Sequence, residues 1–191
     1  MLGEAALLHL FALLSQAIGS ITLHRMTTNA DGDNRAFRDA LGCFATGVTI
    51  VTCLDENGAA TGATASSFNS VSLDPPLILF SLGHHMRTLR AYEASAAFAV
   101  NVLHMDQKEI STQFASQSVA DKWAGVAHTI SDHGCPLIDG ALAIFECESW
   151  EKHRGGDHII FVGRVVRATA NVTHHPLVFY RGKYHSLGGA G

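Results

Sequence analysis

Charge is what this sequence has least of. Asp, Glu, Lys and Arg make up only 16% of its 191 residues, against roughly 25% in an ordinary soluble domain. A surface so poor in charge implies that part of it is covered, most simply by a second copy of the chain. The imbalance of 13 Lys+Arg against 17 Asp+Glu is mildly acidic, which removes the electrostatic basis for a non-specific nucleic-acid binder. Proline is scarce at 4 residues, glycine stands at 18, and no short repeat occurs. Collagen-like, coiled-coil and low-complexity architectures are thereby excluded. An apolar content of 47% excludes disorder. The length fits one domain with a real hydrophobic core.

Metal and disulfide signatures are also missing. The four cysteines, Cys43, Cys53, Cys135 and Cys147, form no C-x-x-C pair, so neither a zinc knuckle nor a thioredoxin-type centre is indicated. Four thiols in a chain of this length are no disulfide framework, which points to a cytoplasmic setting. Cys43, Cys53 and Cys147 lie in apolar segments and read as packing thiols, whereas Cys135 in Gly134-Cys135-Pro136 reads as an exposed turn residue. There are 12 histidines, with adjacent pairs at His84-His85 and His174-His175, but no H-E-x-x-H. No metal ligand set is assigned. Trp123 and Trp150 read as core or dimer-interface residues.

A membrane-spanning run of about 20 apolar residues is lacking too. Nine of the ten residues from Ala5 to Leu14 are apolar, but Ser15, Gln16, Gly19, Ser20 and Thr22 dilute the stretch after Leu14. The favoured reading is an apolar helical extension upstream of a start at Met26, with no stable membrane insertion. A secretory signal stays open because Ala17-Ile18-Gly19 offers small residues at a cleavage spacing, although Glu4 stands where Lys or Arg belongs. A membrane anchor is the third alternative. Residues 1–34 are thus expected to be an extension and flexible joint, and 35–191 the folded domain.

Within that domain Asn34 is a good N-cap, and Phe37, Leu41 and Phe44 recur at helical spacing, predicting a helix over Arg35–Ala45. Val48–Leu54 and Ala59–Ala65 flank Asp55-Glu56-Asn57-Gly58, whose Asn-Gly is a strong hairpin signal. Further strands are expected at Leu77–Leu82, Phe98–Leu103, Ala141–His153, His158–Ala168, Leu177–Tyr180 and Tyr184–Leu187, with helices at Arg87–Ala94 and Gln107–Ser116. Tight turns join most of them, and no G-x-G-x-x-G opens a helix. The pattern predicts a mainly β fold, an antiparallel barrel of six or seven strands with helical insertions, and not a dinucleotide-binding βαβ domain.

The most unusual stretch runs from Thr61 to Ser72, nearly all small and hydroxylated, and ends at Leu73-Asp74-Pro75-Pro76. Small side chains let a planar ligand approach the backbone, and hydroxyls with backbone N–H groups can satisfy ring heteroatoms or phosphate. A solvated, serine-rich edge strand fits the composition as well.

Thr64–Pro76, T-A-S-S-F-N-S-V-S-L-D-P-P, resembles the signature of the flavin reductase-like, FMN-binding split-barrel family. That family includes the small reductase components of two-component flavin monooxygenases, such as 4-hydroxyphenylacetate 3-monooxygenase. Phe44–Thr52 looks like its opening strand, Phe98–Leu103 like its central strand, Gly156-Asp157-His158 followed by Gly163 like its G-D-H turn, and Tyr180–Tyr184 like its C-terminal hairpin. The resemblance covers about residues 35–187 and implies a Greek-key split barrel that binds FMN or FAD at a homodimer interface and reduces it with NADH or NADPH.

Carried over by position, Thr64, Ala65, Ser66, Ser67 and Phe68 would face the flavin ring, with Thr46, Asn101, Ser111, Phe114 and Tyr184 near it. Ser81, His85, Arg87 and Thr88 would hold the phosphate. Here His84-His85-Met86 departs from the serine- and lysine-rich pattern usual in the family, which leaves FMN against FAD open. Gly156 and Asp157 would form the turn that presents His158, a residue placing the nicotinamide or guarding the open flavin face; a plain hairpin cap is its alternative. Hydride transfer from nicotinamide to flavin needs positioning more than an acid–base pair, which suits a chain without a Ser-His-Asp or paired-carboxylate motif. The reduced flavin would feed a partner monooxygenase. Two other readings stay open: a retained flavin that reduces another acceptor such as a corrinoid, and a flavin- or haem-binding module without turnover.

Overall fold

A computed structural model describes residues 34–187; the readings of the segment before Asn34 fall outside them. The chain divides into two units, residues 1–40 and 41–191. Helix α1 (Asn34–Leu41) begins in the first. The helix expected over Arg35–Ala45 stops at Leu41, because Gly42 follows and the chain closes in a turn with Phe44 N–H donating to Leu41 O at 3.0 Å. Phe44, offered as the last residue of the apolar stripe, is 78% exposed.

The second unit is built on β1 (Thr46–Gly47), β2 (Thr49–Leu54), β3 (Ala60–Ala65), β4 (Asn69–Leu73), β5 (Pro76–Gly83), β6 (Ala97–Val102), β7 (His128–Ile130), β8 (Pro136–Ile138), β9 (Ala143–Gly155), β10 (His158–Ala170), β11 (Leu177–Tyr180) and β12 (Lys183–Ser186). Helix α2 (Leu89–Ala94), a 3-10 turn (Met105–Gln107) and helix α3 (Lys108–Ala115) are inserted. Seven strands form one sheet in the order β3-β2-β6-β9-β10-β5-β4, with every pairing antiparallel. Its two edges, β3 and β4, are joined by only Ser66–Phe68. That link spans roughly 14 Å at full stretch, whereas the edges of a flat seven-stranded sheet lie about 29 Å apart. The sheet therefore has to curl, and Ser67 ties the seam, its hydroxyl donating to Ser81 O at 3.1 Å and accepting from Ser81 N–H at 2.9 Å. This is the expected antiparallel barrel.

Strand β2 is buried along both faces, which explains its nearly unbroken β-branched sequence. Val51 and Cys53 face a core inside the barrel, where Phe80 stacks on Phe161 at 5.2 Å and meets Phe98 edge-on at 5.0 Å. Tyr92 closes that core, its hydroxyl donating to Val51 O at 2.7 Å. Ile50 turns the other way, into a second cluster with Val48, Leu103, Phe114, Val126, Ile138 and Leu177. A cleft borders that second cluster.

The excursion holding β7 and β8 is clamped on the barrel by buried polar groups. Asn101 is fully buried; its amide donates to Ile50 O and Thr52 Oγ1, both at 3.1 Å, and its carbonyl oxygen accepts from Ile138 N–H at 2.9 Å. Thr52 in turn donates to Pro136 O at 2.5 Å. These bonds satisfy groups that would otherwise be costly to bury.

Two thiol expectations are corrected. Cys135 is fully buried, because the Ser131–Cys135 turn folds it under β8, and Cys43 is exposed. Burial pushes the Cys53 and Cys147 thiols up to about 12 and the Cys135 thiol up to about 11, so none offers thiolate at neutral pH. A disulfide-exchange titration of the native protein is expected to show one fast thiol, Cys43, and the other three only on unfolding; several fast thiols in the native state would contradict this packing. Trp150, expected in the core or at a dimer interface, is half-exposed and so outside the core, the extra residue of a bulge opposite Val162 and Gly163. Among the described residues no helix is long and apolar enough to cross a membrane.

Candidate active site

A cleft of about 620 Å³ opens beside the second core, within the range usual for small-molecule sites. Strand alternation decides which of the small residues reach it. Along β3 and just beyond, Ala60, Gly62, Thr64 and Ser66 line the cleft two residues apart, with Thr61 added between the first two. Ala63 and Ala65 point into the barrel core. Gly62 is required here by close packing: a Cβ would lie 2.8 Å from Phe114 Cδ1. Thr64 Oγ1 donates to Ser111 O at 2.8 Å, fastening α3 to the strand.

The rest of the lining is rich in aromatic rings. Phe114 meets Trp123 edge-on at 4.9 Å, and Phe179 meets Tyr184 at 5.4 Å; all four line the cleft. The Tyr184 hydroxyl shares a 2.8 Å hydrogen bond with Ser111 Oγ, which is fully buried. Opposite Phe179 in the β1–β11 ladder stands Thr46, whose buried hydroxyl has no partner.

Cations come from two loops. Between β5 and α2 the chain presents His85, Met86, Arg87 and Thr88 to the cleft, and the segment after α3 presents Gln117, Val119, Ala120, Asp121 and Lys122. Gln113 holds the second loop by donating to Lys122 O and Ala124 O, both at 2.9 Å. Lys122 Nζ donates to Phe114 O at 2.6 Å. Burial, and then the Arg87 guanidinium, lower the Lys122 pKa below its usual value. Two neighbouring cations in a partly buried cleft are chemically suited to an anion.

The G-D-H turn lies at the tip of the β9–β10 hairpin, with Gly156 at φ +67°. His158 pairs with Gly83 across β10 and β5. A Cβ on Gly83 would stand 2.7 Å from His85 Nδ1 and 3.5 Å from His158 Nε2, so the glycine leaves room for both imidazoles, one of which lines the cleft. His158 Nδ1 is 2.7 Å from Asp157 Oδ1, and this contact holds the exposed Asp157 carboxyl below its ordinary pKa. With one ring nitrogen held by the carboxylate, the other points back toward Gly83.

Of the residues singled out from the sequence, Thr64, Ser66, His85, Arg87, Thr88, Phe114 and Tyr184 line the cleft. Ser111 lies directly behind Tyr184, and Thr46 opposite Phe179. Ala65, Ser67, Phe68, Ser81 and Asn101 are not on its lining. Ala65 faces the core, Ser67 and the Ser81 backbone close the seam, Phe68 stacks on Phe145 at 5.5 Å, and Asn101 holds the β7–β8 excursion. Gly156, Asp157 and His158 are not on its lining either; of the three only His158 nears it, through the space over Gly83 that it shares with His85. Sequence reasoning missed Lys122 and the cleft-lining side of Trp123; their one signal is a cation and an aromatic adjacent at 122–123.

Comparison with known proteins places this geometry. Residues 41–188 match the family described as flavin reductase like domain. A probable flavin reductase of Rhizobium meliloti is 44% identical over 152 residues, covering 80% of this chain and 48% of that protein, so the chain spans about half that relative's length. The reductase subunit HsaB of a flavin-dependent monooxygenase from Mycobacterium tuberculosis is 40% identical over 161 residues, covering 83% of this chain and 85% of that subunit. Among solved structures, the NADH:FAD oxidoreductase of Streptomyces globisporus, in complex with NAD and FAD fragments, superposes with a TM-score of 0.81 at 34% identity, covering 86% of this chain and 98% of that one.

Proposed function

The chain belongs to the flavin reductase-like domain family, and from that premise we propose that it is an NAD(P)H:flavin oxidoreductase supplying reduced flavin to a partner monooxygenase. The observation that carries this reading is the cleft itself: a wall of small residues at Gly62, Thr64 and Ser66, an aromatic side at Phe114, Trp123, Phe179 and Tyr184, and two cations at Arg87 and Lys122. Those residues fit a flavin, with planar apolar surfaces for the ring, the orphaned Thr46 hydroxyl as a spare polar partner, and cations for the phosphate. Held there, a flavin would supply the redox chemistry, taking up a hydride from reduced nicotinamide.

The chain's own part is placement. Thr64, Ser66 and Tyr184 bound the ring site, with Ser111 fixing the Tyr184 hydroxyl. Arg87 and Lys122, with Thr88 and His85 beside Arg87 in the chain, hold the anionic end. His158, oriented by Asp157, stands where a second ligand would enter beside His85 and positions the nicotinamide. Ala65, Ser67, Phe68, Ser81 and Asn101 support these groups from behind. We place the reductase domain at residues 35–191 and the protein in the cytoplasm. The homodimer is part of the proposal, supported by the low charge and by half-exposed Trp150 and Val71 and nearly bare Leu73 on the barrel.

The test is an anaerobic absorption spectrum of the purified chain with FMN or FAD, before and after NADH or NADPH. Bleaching near roughly 450 nm supports the proposal; bound flavin that fails to bleach with either nucleotide favours a module without turnover, and no flavin binding overturns the reading. In the same assay His158→Ala is expected to raise KM for the nicotinamide nucleotide or lower kcat while flavin binding survives. Unchanged steady-state constants would remove His158 from the site.

A further inference from the structure

Away from the cleft, where the 3-10 turn leads into α3, two histidines and an aspartate converge. One ligand atom from each of His104, Asp106 and His174 lies within 4.8 Å of the others. We propose that this cluster is a binding site for a borderline divalent transition-metal ion, with Zn²⁺ as the probe.

The backbone brings the three together. Two long-range hydrogen bonds stitch the 171–176 loop to the end of β6: Met105 N–H to His175 O and Leu177 N–H to Leu103 O, both at 3.0 Å. His104 also bridges directly to Pro176. The imidazoles of His104 and His174 consequently stack at 4.6 Å. The His104 side chain is only 13% exposed, whereas Asp106 is at the surface.

Asp106 flanks the His104 ring nitrogen with both its backbone and its carboxylate. His104 Nδ1 accepts a 3.2 Å bond from Asp106 N–H, so in this tautomer it carries a lone pair. The Asp106 Oδ2 atom stands 3.6 Å from the same nitrogen. That lone pair already accepts the long Asp106 N–H bond, so a cation bound at Nδ1 would displace this hydrogen bond and gain the Asp106 carboxylate beside it. Two ligand atoms on one tetrahedral zinc are about 3.3 Å apart, given bonds of about 2.0–2.1 Å, so this pair needs to close only slightly. His174 completes the set by turning its exposed ring out of the stack. Two imidazoles favour zinc, nickel or cobalt over the oxygen-seeking magnesium and calcium. The ligands come from two segments distant in sequence, so the ion would tie the 171–176 loop to the turn that starts α3, the helix bearing Ser111 and Phe114.

The test is Zn²⁺ binding by the untagged chain, measured by competition with a chromogenic chelator alongside thermal unfolding. Expected are one equivalent bound with micromolar affinity and a Tm that rises with zinc concentration. Removing even an outer-shell partner typically costs 10–100-fold in metal affinity, so His174→Ala and Asp106→Asn are each expected to weaken binding by about 100-fold. Both sites are exposed, so both variants should fold; His104→Ala removes a half-buried cap and serves as the third probe. The proposal is overturned if wild type binds no zinc below millimolar concentrations. It is equally overturned if His174→Ala and Asp106→Asn keep wild-type affinity, which would place the zinc on other histidines.

Discussion

Gly163→Val is expected to destabilise the protein by about 3 kcal/mol, the upper end of what overpacking a core usually costs, and to lower Tm by roughly 6–12 °C for a domain of this size. Gly163 lies in β10 beside the bulge, where a Cβ would stand 2.9 Å from both Cys147 Cβ and Phe98 Cε2. Neither neighbour can move outward. Phe98 is packed edge-on against Phe80 at 5.0 Å, and Cys147 is 1% exposed in the same core. Backbone freedom is not the reason for this glycine, since Gly163 is not among the positive-φ residues. Alanine should therefore also be destabilising, though less than valine. A second substitution, Phe98→Leu, separates this account from a generic strand effect: it opens space at the contact, so Gly163→Ala with Phe98→Leu should cost less than the two single variants added together. Additive losses would mean that the ring is not what the glycine accommodates.

That clash explains the glycine after the G-D-H turn, and similar physics separates the legible parts of this fold from the hidden ones. The β2–β3 hairpin was legible because its turn chemistry is local: Asp55 Oδ1 accepts from Asn57 N–H and Ala59 N–H, both at 2.9 Å, and Gly58 takes φ +76°. The long β9–β10 hairpin was legible for the same reason at Gly156. Strand β4 was not. Asn69-Ser70-Val71-Ser72-Leu73 is an edge strand exposed along nearly all its length, so no alternation of burial marks it. Strands β7 and β8 have three residues each, too short for any period to show.

At the site, motif position alone could not tell a ligand contact from the scaffold behind it. A polar residue inside the apolar Phe98–Leu103 run is demanded as much by a buried clamp as by a ligand, and Asn101 serves the clamp. In the Thr64–Phe68 run only strand alternation, visible once β3 is placed, assigns Thr64 to the cleft and Ala65 to the core. Lys122 was out of reach because its loop has no periodic backbone; Gln113, nine positions earlier, holds it.

Lys122 and Arg87 carry the largest expected effect on binding. Hydrogen bonds to charged groups contribute about 1.5–3 kcal/mol each, so Arg87→Ala and Lys122→Met should each weaken FMN binding by roughly 10–100-fold. Riboflavin has the same ring and no phosphate, and its binding should be nearly unaffected in both variants. That difference tests the assignment: equal losses for FMN and riboflavin would place the two side chains on the ring or in the scaffold. A pH profile adds a second readout. The Lys122 ammonium is already disfavoured by burial and by Arg87, so in the free protein it loses its charge at lower pH than an ordinary lysine. Anion binding requires the charged form, so FMN affinity should be full below that lowered pKa and decline as pH rises through it. In Lys122→Met this alkaline decline should be absent, leaving a weaker but flatter profile. Arg87→Ala removes a neighbour that lowers the Lys122 pKa, so its decline should shift to higher pH even as its affinity falls. Opposite movements of affinity and midpoint in Arg87→Ala are the signature of two cations sharing one phosphate; an unshifted midpoint would mean that they act apart.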